Sequence, residues 1–588
     1  MIVDVRTNSI SLNPNLFDYE TYYFLEPDDP KDSILVLLYS RLTFNINKDG
    51  SYKTSVLDFF IFKDFISKSN LKISINLTDK ALDILKRFLE YRGKLMDIKM
   101  GVFNTEINTS LKTKPYEDQK SAIKFFLELK KSLNCSSVGI GKTLCALGTF
   151  NILRNQNKVS NCLVITLNQV KLEWNREIPK HTNYSYRIIG NGSKNVLKDL
   201  DEFNEDILVV HYDIIINDLV KTKLISMGFD FWIIDEAHTL RNVQSQRSES
   251  LFEVFETTNP TYLNMLTGTP VSNSPENAQA ILRYICPKIV PGKVKFQNHF
   301  CNYILIKPKG MNRRIPILNK SKPYKNLNEL NFMMDMCSFR KTHADVKDFP
   351  QTVISIKDVE MEKDQEILYN KIKNETYMEI AKMPEKAMNL NMVMVKTWRL
   401  RQAISHPAIL GEYKTSSAKF KVLDNLLDEV LSEPDSKVVL FSCHRETLEL
   451  LVHKYKDQYG ARLFAGVGNE FTDEMRKENN TRFFDDSNSR MLCAMTSLAV
   501  GGNWGQVART GIFVDLPIIP TDWKQSMGRI TRRDAKGISS IIALLCANTV
   551  DDWVWKLLDT AKQVTNEIIK GDNDILIDKD DLIKELKK

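Results

Sequence analysis

Two short stretches constrain this chain more than anything else in it: Ser136-Ser137-Val138-Gly139-Ile140-Gly141-Lys142-Thr143 and, further on, Asp235-Glu236-Ala237-His238. The first has the pattern of a loop that turns tightly after a strand and opens a helix. Backbone N–H groups and the positive helix end then face anionic oxygens. In such a loop Lys142 reaches the β- and γ-phosphates, and the Thr143 hydroxyl ligates Mg²⁺. The second stretch follows the apolar run Phe231 to Ile234, a buried strand whose end presents two acids where a triphosphate would lie. Asp235 suits the magnesium shell, and Glu236 suits orienting or deprotonating an attacking water. Neither suffices alone, because Ser136 replaces the first expected glycine and a solvated acidic strand end is common. In this order on one chain they predict hydrolysis of a nucleoside triphosphate.

At 588 residues the chain has room for roughly three to four domains of about 150 residues each. Its 43% hydrophobic and 26% charged content is that of a globular protein with ample core. The formal charge of +7 permits a polyanionic partner without requiring one. Nine cysteines are scattered with no CxxC pair, which argues against zinc and for a reducing, intracellular setting, cytoplasmic or nuclear. No signal peptide is visible at the start, and no apolar run approaches the ~20 residues of a membrane helix, so no membrane role is expected.

The pattern divides the chain into residues 1–108, 109–348, 349–560 and 561–588. In the first part Leu42, Phe44 and Ile46 alternate, Lys48-Asp49-Gly50 breaks the run, and Tyr52, Thr54 and Val56 alternate again, a hairpin signal. Ala81 to Met96 has helical spacing, so a small α+β accessory domain is expected. Beyond Pro115, apolar strands alternate with amphipathic helices at Cys162–Ile165, Ile207–Val210, Phe231–Ile234 and Leu263–Thr267. The alternation resumes at Val438–Phe441, Met491–Ala494, Gly511–Val514 and Ser540–Leu545. These are two α/β parallel sheets, with a mostly helical stretch from Pro275 to Lys437 and a helical tail at the end. Near the C-terminus stands Gln525-Ser526-Met527-Gly528-Arg529-Ile530-Thr531-Arg532-Arg533, which predicts a helix with Arg529 and Arg532 on one face. Arginines so placed can stabilise charge on a transferring phosphoryl group.

The order of these motifs resembles the superfamily 2 helicases, and in detail their Swi/Snf-type, DEAH-box branch. Asp235 to Asn242, Leu266 to Asn273, Phe339 to Val346, Leu400 to Pro407 and Ser417 to Phe420 are each similar to a motif of that branch. The resemblance covers about Lys114 to Ile569 and implies two RecA-like lobes, ATP and Mg²⁺ as cofactors, and DNA as a partner. It implies that Gln119 reads adenine with Tyr116 near the base, and that the loop from Ser136 to Thr143, His238 and Gln525 contact nucleotide. It implies nucleic-acid contacts at Thr166, Tyr212, Ser442, Thr496 and Asn503, where hydroxyls and amides grip phosphates without reading sequence. Three departures stand out: Ile518 replaces a tryptophan, Gly528 an acid, and Trp504 a leucine. The compact form fits a divergent member of viral or other selfish-element origin.

The expected function is therefore a DNA-dependent ATPase that moves along or remodels DNA. A transcription-associated ATPase acting on an RNA polymerase complex is the alternative, with residues 1–108 as the contact to transcription or replication machinery. A scaffold without hydrolysis is the third reading, and the presence of Lys142, Asp235, Glu236, Arg529 and Arg532 speaks against it.

Overall fold

The computed structural model describes residues 2–6, 22–25, 45–46, 52–53, 76–77, 79–190, 196–268, 275–286, 290, 293–306, 315–319, 324–347, 349–381, 390–465, 472–499, 502–533, 535 and 537–568. Thr269 to Asn273 of one motif lie outside them, as do residues 569–588 and most of the expected hairpin. Chain contacts divide the protein into two compact units. The first holds Met1–Ser136, Lys142–Asn168 and Trp174–Arg340; the second holds Ser137–Gly141, Gln169–Glu173 and Lys341–Lys588.

In the first unit, the N-terminal strands form a five-stranded sheet in which Asn45–Ile46 pairs antiparallel with Tyr52–Lys53, at the place of the expected hairpin. The helix Asp79–Met100 follows, and its Leu95 and Ile98 are buried among Phe125, Phe126 and Phe339. The main sheet has seven strands, in the order Ser338–Phe339, Lys131–Asn134, Tyr262–Leu266, Phe231–Asp235, Cys162–Thr166, Ile207–His211 and Tyr186–Ile188. All pairings in it are parallel. Cys162–Thr166, Ile207–His211 and Tyr262–Leu266 are buried along their whole length, which is why they read as unbroken apolar runs. A parallel sheet puts all its strand ends on one edge. The residues after Asn134 and the acids at Asp235 therefore emerge together, one strand apart.

The second unit carries a six-stranded, all-parallel sheet ordered Thr352–Val359, Ser539–Cys546, Thr510–Phe513, Val438–Ser442, Met491–Met495 and Arg462–Ala465. Trp504 fills its core: the indole is fully buried against Phe441 and Phe464 and donates to Asn480 Oδ1 at 2.9 Å. A leucine there would lack that donor.

One expectation is corrected below. The stretch from Pro275 to Lys437 is mostly helical, and it also holds Tyr303–Ile306 paired with Ile315–Leu318 and Thr352–Val359 joined to the second sheet. The arginine-bearing helix ends early: it spans Pro520–Met527, and Gly528 closes it by donating to Lys524 O at 3.0 Å. Arg529 thus sits in a turn and Arg532 in irregular chain, not on a helix face.

Candidate active site

Asp235 closes its strand half-buried, and three donors fix its carboxylate. Oδ2 accepts from Trp174 Nε1 at 2.9 Å and Thr166 Oγ1 at 3.3 Å, while Oδ1 accepts from the Glu236 N–H at 2.9 Å. All three are neutral, so they orient the acid without cancelling its charge. Nothing in the sequence announces Trp174 as a partner, because 61 residues separate the pair. Glu236 has a left-handed backbone, φ 49°, in a non-glycine residue. Such a conformation costs energy and turns the side chain away from the strand's own course. Glu236 Oε2 lies 3.2 Å from His238 Nδ1, which is 3.1 Å from Thr267 Oγ1. An acid and an imidazole from one segment and a hydroxyl from the next strand's end thus form a chain along the sheet edge.

Lys142 opens the helix Lys142–Asn155, and its ammonium donates to Ser136 O at 3.0 Å across the loop. Ser136, in the place of the first expected glycine, is buried, and its N–H donates to Asn134 Oδ1 at 3.1 Å. Gly139 and Gly141 have φ of 85° and 94°, which only glycine adopts without strain. A Cβ on Gly139 would also lie 2.9 Å from Thr531 O within the second unit. Thr143 is half-buried at the helix start, where a hydroxyl is available to a cation. Gln119 is buried and its Oε1 accepts the Tyr116 N–H at 3.0 Å, while Tyr116 is 46% exposed. Part of the glutamine's bonding capacity thus fixes the loop before the helix Glu117–Leu129.

In the second unit, Arg529 is buried and donates to Glu173, and Arg532 Nη2 lies 3.6 Å from the same carboxylate. The two arginines meet at one shared acid without a helix under them. Gln525 is half-buried on the preceding helix. A Cβ on Gly528 would lie 2.4 Å from Val138 Cγ1, so the acid this branch usually carries there would collide with the loop's valine.

Four of the residues expected at nucleic acid are buried. Thr166 and Ser442 are fully buried, Tyr212 and Thr496 nearly so. Their side chains serve neighbours: Thr166 reaches Asp235, Tyr212 Oη donates to Asp235 O at 2.6 Å, and Ser442 Oγ donates to Asp515 Oδ2 at 2.5 Å. Burial, with Asp235 adding to it, holds the Tyr212 phenol well above its ordinary pKa, so it stays a donor. These hydroxyls are spent on two strand-end aspartates. Asn503 is half-buried.

A parallel sheet with the two ends of a glycine-containing loop and an acid pair on one edge is the arrangement of the P-loop fold class. Residues 118–409 match the SNF2-related domain. The chain is 22% identical over 481 residues to the DNA repair and recombination protein RAD54-like of Drosophila persimilis, covering 74% of this chain and 60% of that protein. It is 24% identical over 488 residues to the ISWI chromatin-remodeling complex ATPase ISW1 of Saccharomyces cerevisiae, covering 76% of this chain and 40% of that one. The chain thus spans less than two thirds of these relatives' length. A solved Sulfolobus solfataricus SWI2/SNF2 ATPase core in complex with dsDNA covers 80% of this chain and 96% of its own at 18% identity, with a TM-score of 0.37. Through residues 118–409 the chain is similar, at low identity, to the Swi/Snf-type ATPases of superfamily 2.

Proposed function

We propose that this ATPase is stimulated by DNA and converts hydrolysis into movement along it or remodelling of it. The observation that carries the reading is the sheet edge of the first unit. There the Ser136 and Lys142 ends of the loop and the Asp235–Glu236 pair emerge one strand apart. Lys142 is the group that leaves Ser136 O to neutralise charge on the β- and γ-phosphates. Glu236 orients and deprotonates the attacking water, and the His238–Thr267 pair couples that carboxylate to the next strand. The Asp235 carboxylate and the Thr143 hydroxyl would hold Mg²⁺, which supplies charge neutralisation at the phosphates when bound. The three Asp235 donors named above fit a cation, since each of them leaves the negative charge intact. Tyr116, which is exposed, and Gln119 receive the base. Arg532, less buried than Arg529, is the better candidate to reach the phosphoryl group in the transition state.

DNA as the stimulating partner is supported by relatives named for DNA repair and chromatin remodelling. With Thr166, Tyr212, Ser442 and Thr496 turned inward, backbone N–H groups at these strand ends are left to meet phosphates. Phosphate release with and without duplex DNA tests the reading. Wild type should turn over ATP faster with DNA, and Lys142→Ala should be silent in both conditions while still binding DNA. Turnover indifferent to DNA would reject the DNA dependence. Normal turnover in Lys142→Ala would reject the site.

A further inference from the structure

We propose that His343 is a positioning residue for ATP binding, holding the phosphate loop through the Val138 carbonyl; this rests on the loop's assignment above. The rising arm of the loop is zipped to the segment that follows Phe339. Cys135 N–H donates to Phe339 O at 2.9 Å, Ser137 N–H to Lys341 O at 2.9 Å, and His343 Nε2 lies 2.8 Å from Val138 O. The third contact is the only one of these made by a side chain. A carbonyl can only accept, so Nε2 carries the proton.

Peptide planarity turns this into an effect on the ligand side. In a trans peptide the C=O and the following N–H point to opposite sides. The loop already illustrates the rule: Ser136 O accepts from Lys142 Nζ while Ser137 N–H faces away to Lys341 O. At the next peptide but one, the bond to His343 draws Val138 O outward. Gly139 N–H is therefore aimed to the opposite side, away from His343, where it is left to meet a phosphate. Glycine's rotational freedom at φ 85° would otherwise let that peptide flip.

His343 is itself braced. Its ring stacks on Phe349 with centroids 3.9 Å apart and 14° between planes. The turn that carries it is fixed by Asp345 Oδ2, which accepts from both Thr342 N and Thr342 Oγ1 at 2.7 Å. Val138 is in turn seated over Gly528, where no Cβ has room.

The test is the split between KM for ATP and kcat. His343→Phe keeps an aromatic ring for Phe349 and removes the donor. KM should rise about fivefold, the weight of one neutral hydrogen bond, with kcat within about twofold of wild type. His343→Gln restores a donor and should return KM toward wild type. Phe349→Leu, which loosens the brace only, should shift KM in the same direction by less. Equilibrium binding of a fluorescent ATP analogue should show the same order. Unchanged affinity in His343→Phe, or kcat falling with KM constant in both His343 variants, overturns the proposal. A wild type that binds no nucleotide would instead overturn the assignment of the loop.

Discussion

Asp235 and Asp515 occupy the same kind of position, at the carboxyl end of a parallel strand, and the protein treats them in opposite ways. Asp235 is half-buried and held by an indole, a hydroxyl and a backbone N–H, none of them charged. Asp515 is 2% exposed and lies with Lys419 Nζ 3.3 Å away. Ser442 and Ser405 hydroxyls also donate to it, and Lys419 is shared with Asp551 at 2.8 Å. Burial alone would push the Asp515 carboxyl up, but Lys419, His444 and the two serines hold it below its ordinary value. Burial likewise opposes the Lys419 charge, and Asp551 with Asp515 outweighs it. A neutral donor set leaves a charge for a cation to use; a buried counter-ion consumes it. The first arrangement belongs to chemistry, the second to structure.

If that division is right, breaking the second arrangement should cost stability more than turnover. Lys419→Met leaves two buried carboxylates uncompensated and should cost about 3–5 kcal/mol. Hydrogen exchange should place the loss in the second unit, around Ala418–Val430 and Val550–Ile568. A loss spread evenly over both units would contradict the distinction.

A smaller effect follows from His444, fully enclosed beside Asp515 with neither ring nitrogen hydrogen-bonded. Burial pushes its pKa down to about 4, against the opposing pull of Asp515 and helped by Arg401 and Lys419. The unfolded chain binds a proton near pH 6.5 and the folded chain does not until about 4, so stability rises with pH across that window. The second unit should therefore lose up to about 3 kcal/mol between pH 6.5 and 4. His444→Phe should flatten the slope in denaturant titrations, and a slope unchanged by it would assign the effect elsewhere.

Smallest is the change expected at the first aspartate. Trp174→Phe removes one neutral donor from Asp235 and keeps Thr166 Oγ1 and the Glu236 N–H. Turnover should fall about fivefold, with partial recovery at raised Mg²⁺. No recovery would mean that Trp174 acts on packing alone.

Much of the fold was legible because its central strands are buried on both faces. Cys162–Thr166, Phe231–Asp235 and Val438–Ser442 are short β-rich apolar runs that suit little else. Lys131–Asn134 was not legible, although it feeds the phosphate loop. Its Ser132 and Asn134 are polar and buried, paired through Asn264 and Ser136, which no local pattern reveals. Thr352–Val359 was hidden for another reason: it is a sheet edge, mostly exposed, so burial left no imprint on its sequence. At the site, the loop, the acid pair and the two arginines could be read from residue type and order. The helix expected under the arginines failed because Gly528 stops it, and the reason glycine stands there is Val138, 390 positions upstream in the chain. The inward turn of Thr166, Tyr212 and Ser442 was equally invisible, since a hydroxyl at a strand end serves a phosphate or a neighbouring carboxylate with the same chemistry.

The most direct test of the contrast is to neutralise each aspartate and read stability and phosphate release side by side. Asp235→Asn should keep the wild-type unfolding midpoint and lose hydrolysis by about 100-fold or more, since the cation loses its charged partner. Asp515→Asn should unfold earlier and, below that transition, hydrolyse ATP at near the wild-type rate. A folded Asp515→Asn protein as inactive as Asp235→Asn would contradict the account.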